Sequence, residues 1–220
     1  MAEGLVRWDH PAGCASKGSI LLVHGTAPMT LDGNIPNCPA SYPLGRMSVY
    51  RDLATVLNCG GWSTLRYTRN GVGEDAVDWD EYMSVDHDVI VTQLVNLMRS
   101  MPTNKPRIVV CWSGGSLHVP HLPLEEARAL VIIGGLCTNR FHNAAMMTKD
   151  RSAWEGLSAE IEAFEGMSRD EIVQANRPNG DGPLMRFWQE SQLRDNWTYL
   201  RSCTRLPILI LHGSDDAEVH

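Results

Sequence analysis

The sequence lacks basic clusters, long apolar runs and paired cysteine motifs. Lysine and arginine number 19 against 26 acidic residues, which gives a formal net charge of −7. Because nucleic-acid binding requires clustered lysine and arginine side chains near the phosphates, this charge pattern argues against a nucleic-acid partner. Every apolar run is far shorter than the roughly 20 residues of a membrane-spanning helix, so no membrane span is expected.

The amino-terminal stretch MAEGLVRWDHPAG contains no basic segment followed by an apolar one, so no secretory signal is predicted. The six cysteines are scattered, without a Cys-x-x-Cys pair. In a chain of 220 residues without a signal, free buried thiols are expected instead of disulfides, and the cytoplasm is the expected location. The length suits one domain, or one domain with an insertion.

Short apolar runs alternate with helical patterns, as is typical of an α/β domain with a mostly parallel sheet. The unbroken run GSILLVHG predicts a strand buried on both faces, and residues 205–213 return to this buried type. Four residues of the first helical pattern are predicted to share one face: Val49, Leu53, Val56 and Leu57. The predicted elements are strands over 18–25, 62–67, 107–112, 128–135 and 205–213, and helices over 46–57 and 85–101.

The alternation stops after residue 136. From there to about residue 200 the sequence shows amphipathic helical stretches, one opened by the capping box Ser168-x-x-Glu171, and no buried strand. The economical interpretation is a core of residues 1–135 and 201–220, interrupted by a helical lid over 136–200. Such a lid would cover the carboxyl edge of the sheet, where small-molecule ligands bind in open α/β folds.

Ser113 directly follows the predicted strand 107–112, within the stretch CWSGG. A serine on a sharp turn between a parallel strand and a helix exposes its hydroxyl, and the helix N-terminus behind it offers N–H groups. The usual pattern is G-x-S-x-G, and here Cys111 replaces the first glycine. A loop serine would explain Ser-Gly-Gly alone, but its position at the end of a buried strand favours a catalytic nucleophile.

The stretch LLVHGTAP predicts a strand that ends in His-Gly and continues into a loop. The amide of Thr26 or Ala27 in this loop can face the serine. Together with the amide of Gly114 it would bind the oxyanion that forms on an attacked carbonyl. Losing one such donor typically costs about 3 kcal/mol of transition-state stabilisation.

The substrate pocket has three candidate residues near these amides. His24 and Ala27 flank the predicted oxyanion loop, and Trp112 immediately precedes the serine. His24 is expected to be a structural histidine that hydrogen-bonds within the loop, in preference to an acid–base role.

The stretch LPILILHGSDDAEVH predicts a late strand followed by His-Gly-x-x-Asp. Asp216 would lie near the carboxyl edge of the sheet, where it would orient and charge-stabilise a histidine as the third member of a triad. Asp215 is the neighbouring alternative. Two solvated loop carboxylates are the non-functional interpretation.

These motifs resemble those of the α/β-hydrolase-fold serine hydrolases. VHGTAPMTLDGN looks like the oxyanion loop of esterase and peptidase-like members, LRYTRNGVG resembles their Arg-Tyr-x-x-Arg-Gly-x-Gly turn, and ILHGSDDAEV resembles the acid-bearing strand and loop. The resemblance covers roughly 18–135 and 203–220 and puts the acid at Asp216. It implies a mostly parallel, doubly wound sheet with a helical lid, and a serine, acid and histidine mechanism without metal or cofactor.

The sequence departs from the family pattern at two points. Cys111, in place of the first elbow glycine, should point back toward the sheet as an inert buried thiol. The family's catalytic histidine follows one further strand after the acid, whereas this sequence stops at His220, four places after Asp216. The expected explanation is a chain truncated before its last strand and helix, and His220 is the weaker candidate for the base.

Two histidines after the serine offer an alternative chemistry. His118 and His121 have the spacing of a His-x-x-His metal pair, but Pro120 between them and the lack of a third ligand favour a surface or structural role. The expected function is a serine hydrolase that cleaves an ester, thioester, lactone or amide of a small molecule through an acyl-enzyme. Acyl transfer to another nucleophile and non-catalytic binding of a small molecule or partner are the alternatives.

Overall fold

The computed structural model of the protein describes residues 4–38, 43–85, 87–135, 196–203 and 205–214. The strands of this part are β1 (Val6–Asp9), β2 (Ser19–Val23), β3 (Ser63–Tyr67), β4 (Arg107–Trp112), β5 (Ala129–Ile133) and β6 (Ile208–Leu211). They form one sheet in the order β1-β3-β2-β4-β5-β6. β1 runs antiparallel to β3, and every other neighbouring pair is parallel. The predicted mostly parallel sheet is confirmed.

The two central strands are the most deeply buried. All five residues of β2 are buried, because β3 and β4 pair with it on either side and helices cover both faces. The register pairs Val23 with Cys111, so β2 and β4 end at the same level of the sheet. This places the two segments that follow these strands at one edge.

Two of the observed strands differ from expectation. The sequence reading missed β1, whose four residues are exposed or half-buried and therefore lack the apolar run of the other strands. The buried character predicted for 205–213 is wrong for β6, because three of its four residues are between 43% and 52% exposed. β6 pairs only with β5 within the described residues and so lies at the sheet edge.

The helices of the described residues are α1 (Val49–Cys59), α2 (Trp79–Ser84), α3 (His87–Ser100) and α4 (Asn196–Ser202), with 3-10 segments at Pro43–Arg46, Ser113–His121 and Leu124–Glu126. The predicted apolar face of α1 is partly wrong. Val56 is 68% exposed, whereas Tyr50 and Ala54 are the buried residues of this helix. The buried residues of α3 include Ile90, Leu94 and Met98, which have the spacing of one helix face.

The sheet separates two apolar clusters. Successive residues of a strand point to opposite faces. Val109 and Cys111 of β4 accordingly belong to the cluster that includes α3 and Leu200 of α4, whereas Ile108 and Val110 belong to the cluster beneath α1. Of the lid predicted over 136–200, residues 136–195 lie outside the described residues, including the capping box Ser168-x-x-Glu171.

The five cysteines in the described ranges form no disulfide. Burial was expected, but Cys14 and Cys59 are exposed and only Cys111 is fully buried. Within the residues described here, no helix is both long enough and apolar enough to cross a membrane.

Candidate active site

Ser113 lies on a sharp turn at the end of β4. Its φ angle is +49°, in the left-handed region that residues other than glycine rarely adopt. Trp112, immediately before it, still has extended backbone angles. The chain therefore reverses direction within one residue, and a backbone conformation of this kind persists only where the surrounding structure holds it.

The segment after Ser113 is a 3-10 helix, Ser113–His121. Two consecutive glycines and Pro120 explain why a regular α-helix does not form, because glycine has a high entropic cost and proline lacks the N–H donor. The Ser116 hydroxyl donates to the Ser113 carbonyl oxygen at 2.9 Å. At the start of such a helix the first N–H groups have no acceptor within the helix, and Gly114 contributes one of them.

The loop after β2 packs directly against this turn. A Cβ atom at Gly25 would lie 3.3 Å from Ser113 Cβ and 3.8 Å from Ser113 Oγ. A Cβ atom at Gly114 would overlap Thr26 Cγ2 and lie 3.5 Å from the Thr26 nitrogen, and one at Gly115 would overlap the His24 carbonyl oxygen. Only glycines at these positions allow the two segments to approach so closely.

The approach brings two of the residues predicted to form the oxyanion site together, because Thr26 lies against Gly114. Ser113, Thr26 and Ala27 are each half-buried, and Gly114 is buried. Among the described residues, no hydrogen bond uses the N–H of Thr26. A main-chain donor of the loop therefore lies beside the serine turn.

Buried polar side chains hold the loop after β2. The Tyr50 hydroxyl donates to the Val23 carbonyl oxygen at 3.1 Å. The Thr26 carbonyl oxygen accepts a hydrogen bond from the Tyr82 hydroxyl at 2.6 Å and another from Arg69 Nη1 at 3.3 Å. Tyr50, Tyr82 and Arg69 are all less than a tenth exposed, so these bonds are shielded from water.

A second anchor fixes the far side of the same loop. The Arg66 guanidinium is 2% exposed and bonds Asp9 Oδ2 and Asp32 Oδ1, each at 2.7 Å. It also donates to the Leu31 carbonyl oxygen at 3.0 Å. The Asp32 carbonyl oxygen accepts from the backbone N–H of Tyr50, so the loop, β3 and the start of α1 are tied together.

His24 lies in the core beneath the loop. Its ring stacks on Tyr50 with centroids 4.4 Å apart and tilts against Tyr67 at 4.8 Å. Burial, together with the positive charges of Arg69 and Arg66, lowers the pKa of His24 to about 3. The expected structural role fits this position, but the expected hydrogen bond is absent, since neither ring nitrogen has a partner among the described residues. At 1% exposure the ring offers almost no surface to a substrate.

The other two pocket candidates differ in environment. Ala27 is half-buried in the loop. Trp112 is half-buried, packs on the α1 side of the sheet and meets the Tyr50 ring edge-on at 5.8 Å. Cys111 points to the opposite, α3 side, where burial raises the pKa of its thiol. The inert thiol expected at this position agrees with that environment.

The histidines after Ser113 pack together with His87. The His87 ring lies 5.2 Å from that of His118 and 4.8 Å from that of His121, and Arg69 Nη2 is 3.4 Å from His118 Nε2. Burial, and then the charge of Arg69, lowers the pKa of His118 well below its ordinary value. Throughout the described ranges, no group of three potential ligands could hold a metal ion.

Three acid or base candidates lie outside the described residues: Asp215, Asp216 and His220. β6 is parallel to β5 and β4, so the chain leaves β6 at the same edge as Ser113.

Two surface cavities, of about 340 and 330 Å³, have linings that do not include Ser113. One lies beside Tyr199 of α4 and the other beside Trp8 of β1.

The sequence reading missed the residues that hold the loop: Tyr50, Arg66, Arg69 and Tyr82. Arg66 carried a signal, because an arginine within a predicted strand needs a carboxylate partner if that strand is buried. Nothing local identified the tyrosines, which look like ordinary core residues of helical segments.

The fold has many solved counterparts. An esterase from Thermogutta terrifontis has a TM-score of 0.55 at 13% identity, covering 97% of this chain and 76% of that one. A hydrolase from Oleispira antarctica has a TM-score of 0.54 at 11% identity, and the match covers 97% of this chain and 78% of that one. An esterase from Exiguobacterium antarcticum has a TM-score of 0.52 at 14% identity, and the match covers 98% of this chain and 79% of that one. No protein-family model and no curated protein matches the sequence.

Proposed function

We propose that this chain, which has the α/β-hydrolase fold, is a serine hydrolase that acts on the acyl bond of a small molecule. The observation that carries the proposal is the left-handed backbone of Ser113 at the end of β4, with the Gly25–Thr26 loop in contact. A strained residue at the edge of a parallel sheet, where ligands of α/β proteins bind, is a candidate for direct chemistry.

The proposed reaction begins with attack of Ser113 Oγ on the substrate carbonyl carbon. The N–H groups of Gly114 and Thr26 donate hydrogen bonds to the carbonyl oxygen and stabilise the negative charge that develops on it. A histidine takes the serine proton and passes it to the leaving group, which departs and leaves an acyl-enzyme. Water, activated by the same histidine, then releases the acid and restores the serine.

The identity of the acid and the base remains part of the proposal. Asp216 is the proposed acid, because β6 directs the chain to the edge that carries Ser113. His24 does not fit the base, since its ring is enclosed by tyrosines and its pKa is about 3. The proposed base is a histidine that follows Asp216, as the family resemblance implies, and the helical lid over 136–200 is proposed to cover the same edge.

The fold leaves the acyl substrate open among esters, thioesters, lactones and amides. Two of these solved counterparts are esterases, which makes esters the first substrates to test. Acyl transfer would differ from hydrolysis only in the nucleophile that releases the acyl group.

A fluorophosphonate probe tests the proposal directly, because it reacts covalently with an activated serine. We expect labelling of the wild-type protein, loss of labelling in Ser113→Ala, and normal labelling in Ser100→Ala, whose hydroxyl bonds the Leu97 carbonyl on α3. Absence of labelling in a folded wild-type sample would reject the hydrolase and favour a binding protein. Adding an alcohol acceptor to an ester assay separates acyl transfer from hydrolysis.

A further inference from the structure

The Thr26 carbonyl oxygen is held from two directions by buried side chains. Tyr82 comes from α2 and donates at 2.6 Å, and Arg69 comes from the segment after β3 and donates at 3.3 Å. Tyr82 is 7% exposed and Arg69 is 3% exposed. A carbonyl with two buried donors, one of them cationic, is strongly restrained.

The restrained carbonyl belongs to a residue whose N–H lies beside the serine turn. The Thr26 nitrogen is 3.5 Å from the Cβ position of Gly114. The chain before Thr26 is restrained too, because the His24 N–H donates to the Tyr67 hydroxyl at 3.4 Å and the Tyr50 hydroxyl donates to the Val23 carbonyl oxygen at 3.1 Å. Hydrogen bonds to buried tyrosines therefore hold the main chain on both sides of the Thr26 N–H.

The segment that presents Tyr82 is itself well fixed. Asp78 caps α2 by accepting a hydrogen bond from the Glu81 N–H at 3.0 Å, and the Asp78 N–H donates to the Gly71 carbonyl oxygen at 2.7 Å. The Tyr82 ring packs edge-on against Trp79 at 5.8 Å. These contacts hold the Tyr82 hydroxyl in a fixed position, as a preorganised site requires.

We infer that Arg69 and Tyr82 are positioning residues, which hold the Thr26 main chain so that its N–H faces the oxyanion formed at Ser113. The inference rests on the proposed function. Neither side chain needs to touch the substrate. Their effect is to keep the Thr26 N–H in place before the reaction. A main-chain oxyanion site stabilises the transition state better than water does because its donors need not reorient.

The variant Tyr82→Phe removes one hydroxyl and keeps the ring that packs on Trp79. We expect the maximal rate of fluorophosphonate labelling at Ser113 to fall about tenfold, with little change in the probe concentration for half-saturation. That is less than the roughly 100- to 1,000-fold loss expected when an oxyanion donor itself is removed. Thr55→Val, which removes a hydroxyl that donates to the Arg51 carbonyl oxygen on the exposed face of α1, serves as the control and should label at the wild-type rate.

Arg69 is tested with a conservative pair. Arg69→Lys keeps a cation able to reach the Thr26 carbonyl and should retain more of the labelling rate than Arg69→Met. Amide hydrogen exchange gives a second readout that does not depend on activity. The amides of residues 25–27 should exchange at least about tenfold faster in Tyr82→Phe, while those of β4 stay unchanged.

The outcomes separate the two proposals. If the wild type labels at Ser113 but Tyr82→Phe labels and exchanges like the wild type, the positioning role is wrong and the hydrolase stands. If the folded wild type does not label, the hydrolase is wrong, and the catalytic role of these two residues falls with it. If Tyr82→Phe labels more slowly, and amide exchange becomes faster only at residues 25–27, the result supports both the hydrolase and the positioning role.

Discussion

A Cβ atom at Gly25 would approach the Cβ atom of Ser113 to 3.3 Å, although 88 residues separate the two positions. The contact exists because β2 and β4 are neighbours in register and end at the same level. The pairing of β2 with β4 consequently places the loop that supplies the proposed oxyanion donor beside the proposed nucleophile.

Substituting Gly25→Ala should impair the serine without unfolding the protein. Gly25 does not have a positive φ angle, so alanine meets no backbone strain, but its methyl group must push Ser113 by a few tenths of an ångström. We expect the labelling rate at Ser113 to drop by about tenfold, since small misplacements of reacting groups are costly. Circular dichroism should stay unchanged. A wild-type labelling rate would show that Ser113 tolerates the shift.

Substituting Gly114→Ala should have a larger effect that a second substitution relieves. The new methyl group would overlap Thr26 Cγ2, which Thr26→Ser removes while keeping the main-chain N–H. We expect Gly114→Ala to slow labelling by about 100-fold and the double variant to recover much of that loss. Thr26→Ser alone is the control and should label nearly as the wild type. Additive losses in the double variant would contradict the contact.

The stability of the protein should fall on acidification, in part because of His24. Its pKa is about 3 in the folded protein, against about 6.5 for an unperturbed histidine. Between these values the unfolded chain binds a proton that the folded chain does not, so the free energy of unfolding decreases as the pH falls. The contribution reaches about 1.4 kcal/mol per pH unit.

The variant His24→Phe isolates this effect. It keeps an aromatic ring between Tyr50 and Tyr67 but cannot take up a proton. Urea unfolding at pH 7, 6, 5 and 4 should therefore show a shallower loss of stability for the variant than for the wild type. Because neither ring nitrogen bonds a described residue, we expect little loss at pH 7. Parallel pH profiles would show that His24 does not contribute.

Replacing Arg66 should destabilise the fold more than replacing a neighbouring surface arginine. Arg66→Met leaves Asp9 and Asp32 without their buried partner, and we expect a loss of about 3 kcal/mol, as is usual when one member of a buried pair is removed. Arg51 also approaches Asp32, at 3.7 Å, but its side chain is 56% exposed. Arg51→Met should cost at most about 0.5 kcal/mol. Equal losses in urea unfolding would contradict the proposed anchoring of the loop.

Local patterns were sufficient for much of the core. Continuous apolar runs identified β2, β4 and β5, because strands paired on both sides need apolar residues at every position. β1 was not predicted, because an edge strand with exposed residues has no continuous apolar run. The sequence predicted a helix after Ser113 but not its 3-10 form. That form depends on how closely Gly114 and Gly115 let the chain pack against the loop after β2.

The sequence by itself determined which residues end the central strands and which glycines follow them, because hydrophobic burial and backbone freedom are properties of neighbouring residues. Only the tertiary structure decided that Gly25 meets Ser113, that Tyr82 and Arg69 share the Thr26 carbonyl, and that Arg66 joins Asp9 to Asp32. These contacts join positions 34 to 88 residues apart. They depend on strand order and register, which no short stretch of sequence encodes.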